Sequence, residues 1–154
     1  MAETLSGPAV DNGVGHVGIA PRKLPRLDRD NRFFWTSGAD GRLRFLRCDQ
    51  CAQFVHPPRP ICPACLGEAL TPAVVAGTGV IDTFTINRQK WRPDTVVPCV
   101  IARIAIDGAP GVVLTSNVVD VDPQAVTIGA AVEVVFIPQE DVYLPMFRMR
   151  GGHG

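Results

Sequence analysis

From residue 73 onward the chain reads as strand. In "GTGVIDTFTIN" (77–87) apolar and polar positions exchange every residue, the period of a half-buried strand, with Val80, Phe84 and Ile86 on one face. "VPCVIARIAID" (97–107) alternates less cleanly and predicts a strand buried over much of both faces. An Asp107-Gly108-Ala109-Pro110 turn leads into "GVVLTSNVV" (111–119), a hairpin signal. "DVDPQAVTIGAA" (120–131) has room for one helical turn at most, and "AVEVVFIP" (131–138) alternates again. "DVYLPMFRM" (141–149) is a last strand, interrupted by Pro145. A long excursion separates the first two of these five strands, and a short one precedes the fourth. The pattern predicts a mainly β fold with a five-stranded OB-type barrel, a small sandwich being the alternative.

The first half is patterned differently. Residues 1–20 are rich in Gly, Ala and Val without a period, which predicts a flexible tail. Residues 21–46 open with proline-punctuated basic sequence and predict a short helical arm over 28–37, with Asp28 and Asp30 as candidate caps. A turn from Ser37-Gly38 to Asp40-Gly41 and a strand over 42–47 follow. Phe33, Phe34 and Trp35 are adjacent, so they cannot all face one core. Either they simply anchor the helix, or at least one packs on a neighbouring module or a partner. The expected division is a tail (1–20), the arm and a first strand (21–46), a cysteine module (47–72) and the barrel (73–154).

"CDQCAQFVHPPRPICPACLG" (48–67) carries the most specific signal, four of the five cysteines as two Cys-x-x-Cys pairs ten residues apart. Each pair puts two thiolates on one tight turn, and two such turns together supply four sulfurs at tetrahedral corners. The connector is long enough for a hairpin, and three prolines in "HPPRP" restrict its backbone. Gly67 suits a strained turn after the second pair. Cys48, Cys51, Cys62 and Cys65 are therefore the expected ligands of zinc or a single iron. Four sulfurs leave no open position for water, so the metal is expected to be structural zinc, tying down a module too small for its own core. His56, between the pairs, is superfluous as a ligand and is expected to face solvent or a partner.

Composition narrows the classes. At 154 residues, with 46% hydrophobic and 19% charged positions, the chain can build a core. Fifteen basic and fifteen acidic residues give zero formal charge, which argues against general nucleic-acid binding. No apolar run is long enough to span a membrane, and the first residues lack a secretory pattern. Clustered cysteines in odd total point to metal binding in a reducing cytoplasm rather than to disulfides.

Catalytic constellations are thin. His16 and His153 lie in terminal stretches, and Cys99, in an apolar strand, reads as buried packing rather than a reactive thiol. One loop stands out: "NRQKWRPD" (87–94) sets Arg88, Lys90 and Arg92 around Trp91. Such a loop can hold the phosphates and adenine of a coenzyme A thioester, or stack on single-stranded nucleic acid. It can also be a solvated tip whose Trp covers the barrel end.

The arrangement resembles a known family, domain of unknown function family thirty-five. Its members are small proteins with an N-terminal helical arm, a rubredoxin-like zinc ribbon and a C-terminal OB-fold, associated with acyl-CoA metabolism. The resemblance runs from about Phe33 to Phe147 and rests on "FFW", "GRLRFLRCDQCAQFVHPPRPICPAC", "GTGVIDTFT", "VPCVIARIAID", "VDVDPQAVTIGAAVEVVF" and "YLPMFR". It implies a non-catalytic, free-standing partner of a thiolase-superfamily enzyme, either a thiolase or a thiolase-like aldolase, that helps enclose the acyl-CoA in degrading steroid side chains, aromatic acids or similar compounds. The family's four ligand cysteines match Cys48, Cys51, Cys62 and Cys65. Its coenzyme contacts follow no motif, so Arg88, Lys90, Trp91 and Arg92 rest on chemistry alone. A single-stranded nucleic-acid binder would want basic and aromatic residues across the barrel face, where Arg103 is the main such residue. A rubredoxin-like electron carrier would hold iron and be red.

Overall fold

The computed structural model describes residues 22–151, so the expected tail, His16 and His153 lie outside the described residues. Two sheets are present. The smaller is antiparallel and three-stranded, with β1 (Arg44–Cys48) between β2 (Phe54–Val55) and β3 (Leu70–Val74). The larger comprises β4 (Thr78–Asn87), β5 (Cys99–Ile106), β6 (Val113–Val118), β7 (Ala131–Gln139) and β8 (Val142–Met149). Their order is β4-β5-β6-β8-β7, closed by β4 against β7, with β6 and β8 parallel. That is the connectivity of an OB barrel, and closure removes the exposed sheet edges that invite aggregation.

Strand β4 departs from its sequence pattern in a telling way. Gly79 and Ile81 face the core, whereas Val80 points outward, 38% exposed. Between Ile81 and Thr83 the pairing with β5 slips by one residue, leaving Asp82 as the extra residue of a bulge. Because side chains alternate with period two, one inserted residue moves the inward set from odd to even positions, and Phe84 and Ile86 then turn in. The expectation that Val80 shares a face with Phe84 and Ile86 is corrected by this bulge. Strand β5 is also cleaner than expected: Val100, Ala102, Ile104 and Ile106 are buried, while the residues between them are not. Strands β7 and β8, by contrast, are buried on both faces over much of their length. Val132 and Phe136 fill the barrel, while Val135, Ile137, Val142, Leu144 and Met146 form an outer cluster covered by Leu24, Leu27 and Trp35 of the arm. Pro145 does not interrupt β8; it pairs with Phe136, and its carbonyl accepts the Ser116 hydroxyl at 2.6 Å.

The arm is shorter than expected. Its helix α1 spans Arg32–Trp35, and a 3-10 turn covers Ser37–Asp40. The Asp28 carboxylate accepts the backbone N–H groups of Asp30 and Asn31, both at 2.9 Å, and fixes the turn before the helix. Neither Asp28 nor Asp30 is the cap, contrary to expectation: that is Asn31, whose side chain makes no capping bond. Phe34 is buried with Phe45 in the barrel core, and, against expectation, Phe33 and Trp35 pack on that same core while also reaching the ribbon cluster and the outer cluster respectively. Gly38 lets the 3-10 turn sit directly on the barrel: a Cβ there would stand 2.5 Å from Tyr143 Cβ and 2.6 Å from the Phe136 ring.

Strand β1 ties the two sheets together. Phe45 faces the barrel core, and Leu46 and Cys48 face the ribbon cluster with Val55 and Cys62. Burying Phe45 completely stabilises the junction by roughly 1.5–3 kcal/mol of transfer free energy.

Candidate metal centre and basic loop

The two cysteine turns are built alike. Cys48 N–H donates to the Gln53 carbonyl, and Ala52 N–H returns to the Cys48 carbonyl. Cys62 N–H donates to the Gly67 carbonyl, and Leu66 N–H returns to the Cys62 carbonyl. The left-handed position in each turn is the residue after the second cysteine, Ala52 at φ 64° and Leu66 at φ 61°. Gly67 does not take that strained position, contrary to expectation. Two non-glycine residues in the left-handed region cost free energy that the surrounding turn must offset.

These turns bring all four sulfurs within 4.8 Å of one another, with Cys48 Sγ 3.5 Å from Cys65 Sγ and Cys51 Sγ 3.6 Å from Cys62 Sγ. Sulfurs about 2.3 Å from one tetrahedral ion stand about 3.8 Å apart, so the spacing fits a thiolate-bound metal. Cys48 and Cys62 are buried, and Cys51 and Cys65 are exposed. Backbone N–H groups aim at the first sulfur of each pair: those of Cys51 and Gln50 lower the Cys48 thiol's pKa, and those of Cys65 and Ala64 bring Cys62 down to about 7. Cys65 goes the other way, to about 12. The Gly67 N–H alone would lower it, but the Cys48 sulfur and burial outweigh that donor. Four crowded sulfurs resist becoming four bare thiolates, and a dication supplies the missing positive charge.

His56 is not a free surface group. Its imidazole lies 4.9 Å from the Phe34 ring and 5.0 Å from the Phe45 ring, and burial lowers its pKa to about 4. The expected solvent-facing or partner-contacting histidine is thus a neutral packing residue at the seam between ribbon and barrel.

The basic loop connects β4 to β5. Arg88, Lys90, Trp91 and Arg92 are all exposed, and Trp91, at 78%, does not cover the barrel end. Arg92 pairs with Asp94 at 3.1 Å, while Arg88 and Lys90 have no carboxylate partner among the described residues. Arg92 lines a cavity together with Arg22 and Lys23 of the arm. Those two were missed as site residues, although the basic "PRK" signalled them. Asn117 was missed as well: it is buried, accepts from Arg22 Nη2 at 2.6 Å and donates to the Val100 carbonyl at 2.9 Å. Cys99 is half-buried rather than fully packed, lines the same cavity and accepts a weak bond from Asn87 at 3.8 Å.

A zinc-ribbon-like four-cysteine turn pair joined through β1 to a closed OB barrel defines the class of this protein. Comparison with known proteins agrees. Residues 35–71 match the model of the ChsH2 rubredoxin-like zinc ribbon domain, and residues 73–136 match that of the ChsH2 C-terminal OB-fold domain. A DUF35 domain-containing scaffold protein of Methanothermobacter thermautotrophicus is 34% identical over 92 residues, which are 58% of this chain and 68% of that protein. The chain belongs to the DUF35 family. A probable enoyl-CoA hydratase alpha subunit of Thermomonospora curvata is 30% identical over 130 residues, covering 84% of this chain but 40% of the relative's length. A solved chain described as "Ltp2-ChsH2(DUF35) aldolase" superposes with a TM-score of 0.74 at 28% identity, covering 82% of this chain and 98% of that one. Among the described residues no helix is long and apolar enough to cross a membrane.

Proposed function

We propose that this protein is a non-catalytic accessory subunit that binds a thiolase-superfamily enzyme and helps enclose its acyl-CoA substrate. The observation that carries the reading is the likeness, over 98% of its length, to a chain solved as "Ltp2-ChsH2(DUF35) aldolase". The hydratase relative's name points to the same chemistry, acyl-CoA conversion. Steroid side chains, aromatic acids or similar acyl groups are the substrates the reading favours, in a cytoplasmic hetero-oligomer.

On this reading the four cysteines hold a structural zinc, which supplies folding free energy and a rigid ribbon. Of the docking surface that the sequence suggests, Phe33, Phe34 and Trp35 with the "VHPPRP" hairpin, Phe33 and Trp35 remain half-exposed and the hairpin's Pro57 and Pro60 exposed. Phe34 is buried and His56 is packed against it, so neither is available. Ile61 (44% exposed) and Leu66 (73%) are free on the ribbon, and preorganised apolar side chains of this kind suit a partner interface. Arg88, Lys90 and Arg92 are exposed cations whose chemistry suits coenzyme phosphates, with Trp91 available to stack on the adenine.

The test is purification of the native chain with whatever binds it, followed by assay of each component. A thiolase-type enzyme should co-purify, the isolated chain should show no thiolase, aldolase or hydratase turnover, and the partner's activity or solubility should rise on adding it. A partner that works equally well alone, or turnover by this chain alone, overturns the reading.

A further inference from the structure

Two cavities meet beneath Arg22. The first, about 360 Å³, lies between the 88–98 loop and the outer face of β5, and its charged walls are Arg22, Lys23, Arg92 and Asp94. The second, about 270 Å³, runs from α1 to β6 and β8 and is lined by Phe34, Trp35, Leu114, Leu144 and Met146. Arg22, Ile101 and Asn117 belong to both. Together they fall in the roughly 300–1,000 Å³ range of small-molecule sites.

The chemistry of the two halves is opposite. The first has three cations against one carboxylate, and Asp94 is already paired with Arg92. Arg22 has no carboxylate partner among the described residues. It is nevertheless held in place, because Nη2 donates to Asn117 Oδ1 at 2.6 Å and Asn117 is itself anchored on the Val100 carbonyl. A buried amide that fixes one donor of a guanidinium leaves the others preorganised for an anion. The second half is an apolar trough beginning under that same guanidinium.

We propose that the two cavities form one site for an amphiphile with a multiply charged phosphate head and a slender apolar arm. The phosphates sit among Arg22, Lys23 and Arg92, and the arm lies over Ile101 toward Leu144 and Met146. This inference rests on the acyl-CoA reading above and identifies the amphiphile as the CoA thioester. It moves the phosphate contacts from the exposed tip, Arg88 and Lys90, to the arm, and makes Asn117 the positioning residue for Arg22.

Calorimetric titration of the full chain with CoA and with decanoyl-CoA tests this. Decanoyl-CoA should bind more tightly than CoA. Arg22→Ala should weaken both by about 10-fold or more, the loss typical of a hydrogen bond to a charged group. Asn117→Ala should mimic it in part. Thr115→Trp, an exposed change that fills the apolar cavity, should reduce decanoyl-CoA to the affinity of CoA and leave CoA unchanged. Undiminished binding in Arg22→Ala and Thr115→Trp overturns the inference, as does failure of the isolated chain to bind either probe. If binding is lost instead in Arg88→Ala/Lys90→Ala, the phosphates lie on the loop tip, and the accessory-subunit reading survives without this site. That reading fails separately, on the partner's behaviour.

Discussion

The Phe34 ring and the His56 imidazole lie 4.9 Å apart, which locks the helical arm, the ribbon hairpin and the barrel core at one point. Phe45 closes the other side of the imidazole edge-on. The arrangement suits a neutral ring and not a charged one, and it carries a pH dependence.

In the fold His56 titrates at about 4, against an ordinary 6.5. The unfolded chain therefore binds the proton more tightly, so the packing contribution is complete above 6.5, shrinks as pH falls from 6.5 toward 4, and is flat below. Because the ring keeps some solvent contact, the loss should be about 1–2 kcal/mol. Denaturant melts of the wild type and His56→Phe across this window should diverge by that amount, the variant having the flatter profile. Parallel profiles would show that the imidazole is as free as in the unfolded chain.

Gly38 and Gly67 make an opposed pair. Ala at 38 must push its Cβ into Tyr143 and the Phe136 ring, and overpacking of this kind costs about 1–3 kcal/mol. Ala at 67 meets the far end of the Gln50 side chain, which can swing away, and stands 3.3 Å from Cys65 Sγ, so its cost should be smaller than that at 38. Equal effects in chemical denaturation would contradict the close approach at 38.

The bulge at Asp82 makes neighbouring positions on β4 behave oppositely. Val80→Lys should shift stability by no more than about 0.5 kcal/mol, whereas Ile81→Ala should cost about 2–5 kcal/mol. A destabilising Val80→Lys with a tolerated Ile81→Ala would mean that the strand keeps the unbroken phase of its sequence.

Removing the metal with a chelator, or replacing Cys62 by Ser, should abolish hydrogen-exchange protection in β2 and in both cysteine turns. The barrel should keep most of its β signal but melt at lower temperature, because Leu43 and Phe45, which precede the first ligand, are part of its core. An unchanged melt with intact ribbon protection would show that no metal supports the fold.

The cysteine centre was legible because its information is local. A Cys-x-x-Cys turn is defined within a few residues, and the connector between 51 and 62 is short enough that few arrangements exist. The barrel was legible at the level of strand number and order, since strong period-two runs separated by turn residues survive any detail of packing. The three aromatics of the arm were misleading in sequence: adjacency suggests that they cannot share one core, whereas all three pack on the barrel core and two of them reach a second cluster as well. Those contacts depended on surfaces contributed from far along the chain.

What the sequence by itself determined, then, is the five barrel strands and the first ribbon strand, the four sulfurs and the class of fold, but not the ribbon strands β2 and β3. Tertiary structure alone decided the phase of β4, because a bulge is set by how the strand must bend to close the barrel and leaves no mark in apolar periodicity. It also decided the double burial of β7 and β8, which exists because the arm folds over them. The state of His56 belongs there too, since its environment is made by Phe34 and Phe45. So does the meeting of Arg22, Arg92 and Asn117, which are remote in sequence and become neighbours only when the arm crosses the outer face of β5 and β6. Local patterns are written in adjacent residues; a site assembled from distant ones exists only once the chain has closed on itself.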